Sequence, residues 1–230
     1  MQKRTFFTAL GWFAAVGGVI LVALLAQILN NAGSRSGGSA PSLPLSEAAV
    51  YEDSLAPAIT PERYDLTIVI YSDYQCGYCR SLDSAVQDLL EEDRAIRVVF
   101  RDWPVLGHGS VQAARAAIAS QWQGKHPQLH AALMNLPARL NEETIQRAAD
   151  EAGVDWAQLE QDMNSHEAEI SQLLSRNAKQ AAQLGLTGTP GMVIGRYRVP
   201  GALDLMRLRE IVRLAREEQA ARANLQGTAS

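Results

Sequence analysis

The chain contains two cysteines, Cys76 and Cys79, and their setting restricts the fold more than any other feature of its 230 residues. Just before them, Leu66-Thr67-Ile68-Val69-Ile70-Tyr71 is rich in β-branched and aromatic residues and reads as a buried strand. Just after them, Leu82, Val86, Leu89 and Leu90 recur at the period of an amphipathic helix. The pair therefore stands at a strand-to-helix junction, in the helix's first turn. Two half-cystines this close cannot staple distant elements, so a structural disulfide framework does not explain them.

The junction favours redox chemistry. A dithiol exchanges disulfides only when one sulfur is a thiolate. Unpaired backbone N–H groups and the positive end of the dipole acidify a thiol at a helix N-terminus. Cys76 precedes or opens the helix and is expected to be the exposed member that exchanges with substrate. Cys79 lies one turn in, on the side of Leu82 and Val86, and is expected to be buried and to resolve the mixed disulfide. Gly77 and Tyr78 between them carry no formal charge.

Downstream, Ile96 to Phe100 reads as a second strand after the acidic stop Glu91-Glu92-Asp93. From Ser110 to about Leu184 the pattern is helical. Ser110 is the expected cap of a helix carrying Val111, Ala114, Ile118 and Trp122, ended by Gly124. A helix near Pro127 carries Leu129, Leu133 and Met134 and stops at Pro137. Asn141 and Asp155 are the expected caps of two more. Thr187-Gly188-Thr189-Pro190-Gly191 is a turn cluster, Met192-Val193-Ile194 a short strand, and Tyr197-Arg198-Val199 its hairpin partner across Gly195. Leu205, Leu208, Ile211, Val212 and Ala215 mark a last helix, its Arg and Glu residues a solvated face, and the polar residues after about 217 are expected to fray. This order predicts an α/β domain with a helical insertion and parallel first strands.

The N-terminal end has a different character. Phe6 to Leu29 is almost wholly apolar and follows Lys3 and Arg4. A bilayer-spanning helix needs about 20 such residues, while a cleaved signal has a shorter core and a small-residue site, which Asn30-Asn31-Ala32 fits poorly. The expectation is an uncleaved anchor with the N-terminus cytoplasmic and the rest across the membrane. Asn31 to about Pro57, rich in Gly, Ser and Pro, reads as a tether. The predicted organisation is a stub and anchor over 1–31, a flexible linker over 32–57, the folded domain over 58–216 with its helical insertion at about 107–185, and a polar tail over 217–230. The apolar content of 47% suffices for a core, and a net charge of −4 argues against a nucleic-acid partner.

Three stretches carry a family resemblance. Ile70-Tyr71-Ser72-Asp73-Tyr74-Gln75-Cys76-Gly77-Tyr78-Cys79, Val98-Val99-Phe100-Arg101-Asp102-Trp103-Pro104-Val105-Leu106-Gly107 and Thr187-Gly188-Thr189-Pro190-Gly191-Met192-Val193-Ile194-Gly195 resemble, in the expected order, the DsbA family of thioredoxin-like proteins, with a likeness to monomer-type DsbA-like domains and the ScsC-like branch over about residues 60–215. The resemblance implies a thioredoxin fold with an inserted helical domain and a cis Pro190 near the sulfurs. It implies that Thr189 offers backbone groups to an extended substrate, a form of β-augmentation, with Gly77 and Tyr78 beside it. It places Cys76, Cys79 and Pro190 in the catalytic machinery without a cofactor. The family's buried acidic residue six positions before the first cysteine is absent, that position being Ile70, and Asp73 is expected on a loop rather than as its replacement. No histidine lies between the cysteines, so a less extreme redox poise is expected.

Two metal readings stand beside this one. Cys76 and Cys79 with His126 and His130 form a C-x-x-C…H-x-x-x-H pattern, but the gap exceeds that of zinc fingers and the histidines need not share a face. An exposed C-x-x-C also suits Cu(I), with Met192 near the proline loop as a further sulfur, although a strand-opening methionine is usually core. His108 and His166 are expected at the surface, and Trp103, Trp122 and Trp156 in the core. The expected activity is thiol–disulfide exchange on cysteines of exported proteins, at a bacterial inner membrane spanned once by residues 6–29, with the catalytic domain in the periplasm and, in the oxidase direction, a quinone-linked membrane partner. Isomerase and reductase directions share the same site.

Overall fold

The computed structural model describes residues 47–136 and 139–227. The expected anchor, residues 6–29, the first part of the linker and Pro137 lie outside these. Among the described residues no helix is long and apolar enough to cross a membrane.

The elements in chain order are α1 (Glu47–Tyr51), β1 (Ala58–Ile59), β2 (Leu66–Ser72), α2 (Gly77–Glu92), β3 (Ile96–Asp102), α3 (His108–Ala119), a 3₁₀ turn (Ser120–Gln123), α4 (His126–Asn135), α5 (Glu142–Glu151), α6 (Trp156–Ser165), α7 (Glu167–Gln183), β4 (Gly191–Ile194), β5 (Tyr197–Pro200) and α8 (Leu205–Gly227). The sheet order is β1-β3-β2-β4-β5. β2 and β3 run parallel in a register that sets Ser72 opposite Asp102, and the other pairings are antiparallel. The run from Leu66 is thus the central strand, buried on both faces, which is why it reads as continuous apolar sequence rather than alternation.

Period-two side chains divide the core into two layers. Ile68, Ile70, Val98, Phe100, Met192 and Ile194 face Leu82, Val86 and Leu89 of α2 and Leu208 and Val212 of α8. Val69, Tyr71, Val99 and Val193 face Val50 of α1 and the helical block, including Ala113, Ala117 and Leu173. Each fully buried Val, Leu or Ile contributes about 1.5–3 kcal/mol of transfer free energy, so both layers help to hold the central strand.

Four expectations change. The linker does not extend to 57, because α1 buries Val50 and Arg101 of β3 donates to the Val50 carbonyl. The tail does not fray at 217, because α8 continues to Gly227. The helical stretch after Asp155 is broken at His166, giving α6 and α7. Ser110 does not cap α3, which starts at His108; its hydroxyl is buried and donates to Asp73 at 2.7 Å. The caps expected at Asn141 and Asp155 are present, Asn141 forming a reciprocal capping box with Thr144.

Candidate active site

β2 ends at Ser72, and the chain turns through Asp73, Tyr74 and Gln75 before α2. Cys76 is the N-cap of α2, with extended backbone and no side-chain capping bond. Its carbonyl accepts from the amides of Cys79 and Arg80, while its amide donates to the Asp73 carbonyl at 3.0 Å. The Cys76 sulfur therefore sits at the open end of the helix, where orphan N–H groups converge. The Thr189–Pro190 peptide is cis, and Cys76 Sγ lies 3.4 Å from the Thr189 carbonyl oxygen. Cys76, Cys79, Thr189 and Pro190 thus form one cluster, with Gly77 and Tyr78 on its outer side. Gly191 permits the close return of the chain: a Cβ there would lie 2.7 Å from Leu186 Cδ1.

The two thiols differ in environment. Cys76 keeps 8% of its surface exposed and Cys79 1%. Cys76 is therefore the more accessible sulfur, but it is largely covered rather than openly exposed as expected. Tyr78 projects from the cluster at 73% exposure. Burial pushes the Cys79 thiol up to about 12, a hydrogen bond from the Asp73 amide opposing the rise.

Asp73 is buried and organises the surrounding loops. Its carboxylate accepts from the amides of Gln75, Val105 and Leu106 at 2.7–2.9 Å and from the Ser110 hydroxyl at 2.7 Å. Gln75 donates to the Leu106 carbonyl and accepts from the Leu140 amide. The exposed side chains of Val105, Leu106 and Tyr78 consequently border the cysteine loop. Asp73 is on a loop as expected, yet its role as a fourfold acceptor is not visible from spacing.

Ile70 is buried in the α2 layer. Close by, Asp102 at the end of β3 is buried, and neither of its carboxyl oxygens has a hydrogen-bond partner. Burial pushes its carboxyl up to about 7, His130 and Tyr74 opposing. His126 and His130 do share a face of α4, their rings 5.6 Å apart and both packed on Phe100. Among the described residues no group of three or more His, Cys, Asp or Glu side chains is arranged to hold a metal ion. Met192 is fully buried in the sheet opposite Ile70, so its sulfur belongs to the core and not to the cysteine surface. His108 is exposed, His166 stacks on Trp122 at 3.8 Å, and Trp122 is 37% exposed rather than core.

A family profile for the DSBA-like thioredoxin domain matches residues 67–213. A thioredoxin-like oxidoreductase from Silicibacter pomeroyi has a similar structure at TM-score 0.72 and 37% identity, over 75% of this chain and 99% of that one. The thiol-disulfide exchange protein α-DsbA2 from Wolbachia pipientis is similar at TM-score 0.68 and 27% identity, over 72% and 89% of the two chains. The catalytic domain of Proteus mirabilis ScsC is similar at TM-score 0.67 and 26% identity, over 74% and 94%. A curated relative, the Na(+)/H(+) antiporter NhaA 1 of Mycolicibacterium vanbaalenii, is 28% identical over 147 residues, covering 62% of this chain and 24% of that protein; the chain spans about a quarter of the length of the first curated relatives it matches. With a mixed five-stranded sheet, a helical block between β3 and β4, and a profile match that includes both cysteines and the proline loop, the chain belongs to the family of DSBA-like thioredoxin domains, which are thiol–disulfide oxidoreductases.

Proposed function

We propose that this chain is a membrane-anchored, periplasmic thiol–disulfide oxidoreductase that forms disulfides in exported proteins through Cys76 and Cys79. The observation that carries the reading is the position of Cys76: it is the N-cap residue of α2, and its sulfur faces the Thr189 carbonyl beside cis Pro190. A substrate thiolate attacks Cys76 of the oxidised pair and expels the Cys79 sulfur. A second substrate thiol then displaces Cys76, which leaves the substrate oxidised and the pair reduced. Thr189 presents its backbone to an extended cysteine-containing segment, Pro190 holds that loop at the sulfur, and Gly77, Tyr78, Val105 and Leu106 form the surrounding contact surface. Reoxidation falls to a quinone-linked membrane partner, which an anchor at residues 6–29 keeps close.

The test uses the reduced and oxidised protein with a two-cysteine peptide. Cys76→Ser should abolish exchange, and Cys79→Ser should accumulate a mixed disulfide on Cys76. Full exchange by Cys76→Ser refutes the assignment of the nucleophile. A redox potential against glutathione near about −120 mV supports oxidation, whereas one near about −270 mV replaces it with reduction. Alkaline phosphatase fused after residue 46 should be active in cells; an inactive fusion rejects the periplasmic assignment.

A further inference from the structure

Cys79 must shed a proton before it can attack a mixed disulfide on Cys76 and must regain one when it is expelled, yet it is buried. Behind it lies a cavity of about 10 Å³, roughly the size that holds one water molecule, lined by Cys79, Ser72, Asp83, His130 and the apolar Ile70, Leu82, Phe100 and Met134. The Ser72 hydroxyl is buried without a hydrogen-bond partner. His130 reaches this place from α4, in the inserted block. Its Nε2 is 3.0 Å from Asp83 Oδ1, and its Nδ1 is 2.9 Å from the Tyr74 hydroxyl. Asp83 is 12% exposed at its side chain and connects the buried imidazole to solvent.

We propose that His130, paired with Asp83 and oriented by Tyr74, relays the proton of Cys79 through this cavity during thiol–disulfide exchange. The proposal rests on the assignment of Cys79 as the resolving sulfur. In the resolving step the Cys79 S–H proton crosses the cavity to Asp83, which lines it and shares the proton with His130 Nε2 at 3.0 Å, and the Cys79 sulfur bonds to Cys76. The bond between Cys76 and the substrate sulfur breaks, and the substrate leaves as a thiolate; no net electrons enter or leave the reacting set. In the reverse step the Asp83–His130 pair protonates the expelled Cys79. Burial pushes the Cys79 thiol up to about 12, so at neutral pH the step needs a base at hand. The groups facing the imidazole are Asp83 and Cys79 from α2, Tyr74 from the loop, Asp102 from β3 and His126 from α4 itself. His130 is thus the one imidazole that borders both the resolving sulfur's cavity and a carboxylate open to water.

The experiment mixes the reduced protein with 5,5′-dithiobis(2-nitrobenzoate) in stopped flow from pH 5 to pH 10: attack by Cys76 leaves one 2-nitro-5-thiobenzoate group on its sulfur and expels a first coloured thiolate, and attack by Cys79 then releases the second, whose rate is followed. His130→Gln should slow release about a hundredfold near pH 7 and lose that deficit towards pH 10, where hydroxide deprotonates Cys79 unaided. Asp83→Asn should show a deficit with the same pH dependence. Should His130→Gln not fold, as judged by far-ultraviolet circular dichroism, Asp83→Asn alone decides. A profile unchanged, or lowered by one factor at every pH, overturns the relay. Wild-type protein that releases no second thiolate would instead overturn the assignment of Cys79 as the resolving sulfur, so the two failures are distinguishable.

Discussion

Arg101, buried within β3, and Asp53, on the loop after α1, form an ion pair at 2.8 Å across 48 residues of sequence. Arg101 also donates to the Val50 carbonyl, and Arg176 of α7 donates to the same Asp53 carboxylate. The pair joins the N-terminal helix, the sheet and the helical block. Asp53→Ala should cost about 3 kcal/mol in urea unfolding, because it leaves a guanidinium buried without its counter-charge. Burial alone would raise the Asp53 carboxyl, but the Leu55 amide, Arg176 and Arg101 outweigh it and hold it below the ordinary carboxylate range. Its contribution is therefore complete above about pH 4 and is lost as pH falls through the depressed value. Equal unfolding midpoints for variant and wild type at pH 7 would contradict this.

His126 should limit stability in mild acid. It is buried on Phe100 with neither ring nitrogen hydrogen-bonded, and burial, helped by His130, holds its imidazole well below the ordinary range. The unfolded chain takes up this proton below about pH 6.5 and the folded chain does not, so stability falls with pH from there. His126→Phe should remove that loss, and its melting temperature should exceed that of the wild type at pH 5 by more than at pH 8.

Asp102 should act in the opposite sense. Its folded carboxyl is pushed up to about 7, so the folded state holds a proton that the unfolded state releases near pH 4, and stability falls as pH rises from about 4 to about 7. Asp102→Asn should flatten this slope, with a gain over wild type at pH 8 of at most about 4 kcal/mol. Denaturant titrations at pH 5 and pH 8 separate the two sites, because His126→Phe and Asp102→Asn alter opposite limbs of the profile.

Asp73→Ala would release three backbone amides and the Ser110 hydroxyl at once. A loss of about 2–4 kcal/mol is expected, together with faster hydrogen exchange at Val105 and Leu106. Unchanged exchange at those two amides would show that the loop is held by something else.

The strand, helix and turn pattern around the cysteines was legible because local periodicity dictates it. Leu66 to Tyr71, Leu82 to Leu90 and Met192 to Ile194 each carry their element's period within the element itself. The cluster of Cys76, Cys79, Thr189 and Pro190 was legible through the resemblance rather than through spacing, since 113 residues separate Cys76 from the carbonyl it meets. What escaped depends on long-range partners. Asp73 looks like any loop acid until Val105, Leu106 and Ser110 arrive from after β3. In the sequence His130 figures only in the metal pattern with the two cysteines, and its contacts with Asp83 and Tyr74 appear once α4 lies beside α2. Residues 47–57 look like more tether because Val50 and Asp53 are isolated signals, and only Arg101 gives them a reason to be ordered.

Arg216 of α8 pairs with Asp65 and Asp93, which immediately precede β2 and follow α2. Both parallel strands run from that end towards Ser72 and Asp102, beside the cysteine loop. One guanidinium thus ties together the rear of the molecule, a strand's length away from the sulfurs. A tag or surface attachment engaging the outer side of α8 can therefore immobilise the domain while leaving the cysteine loop at the opposite end of the strands uncovered.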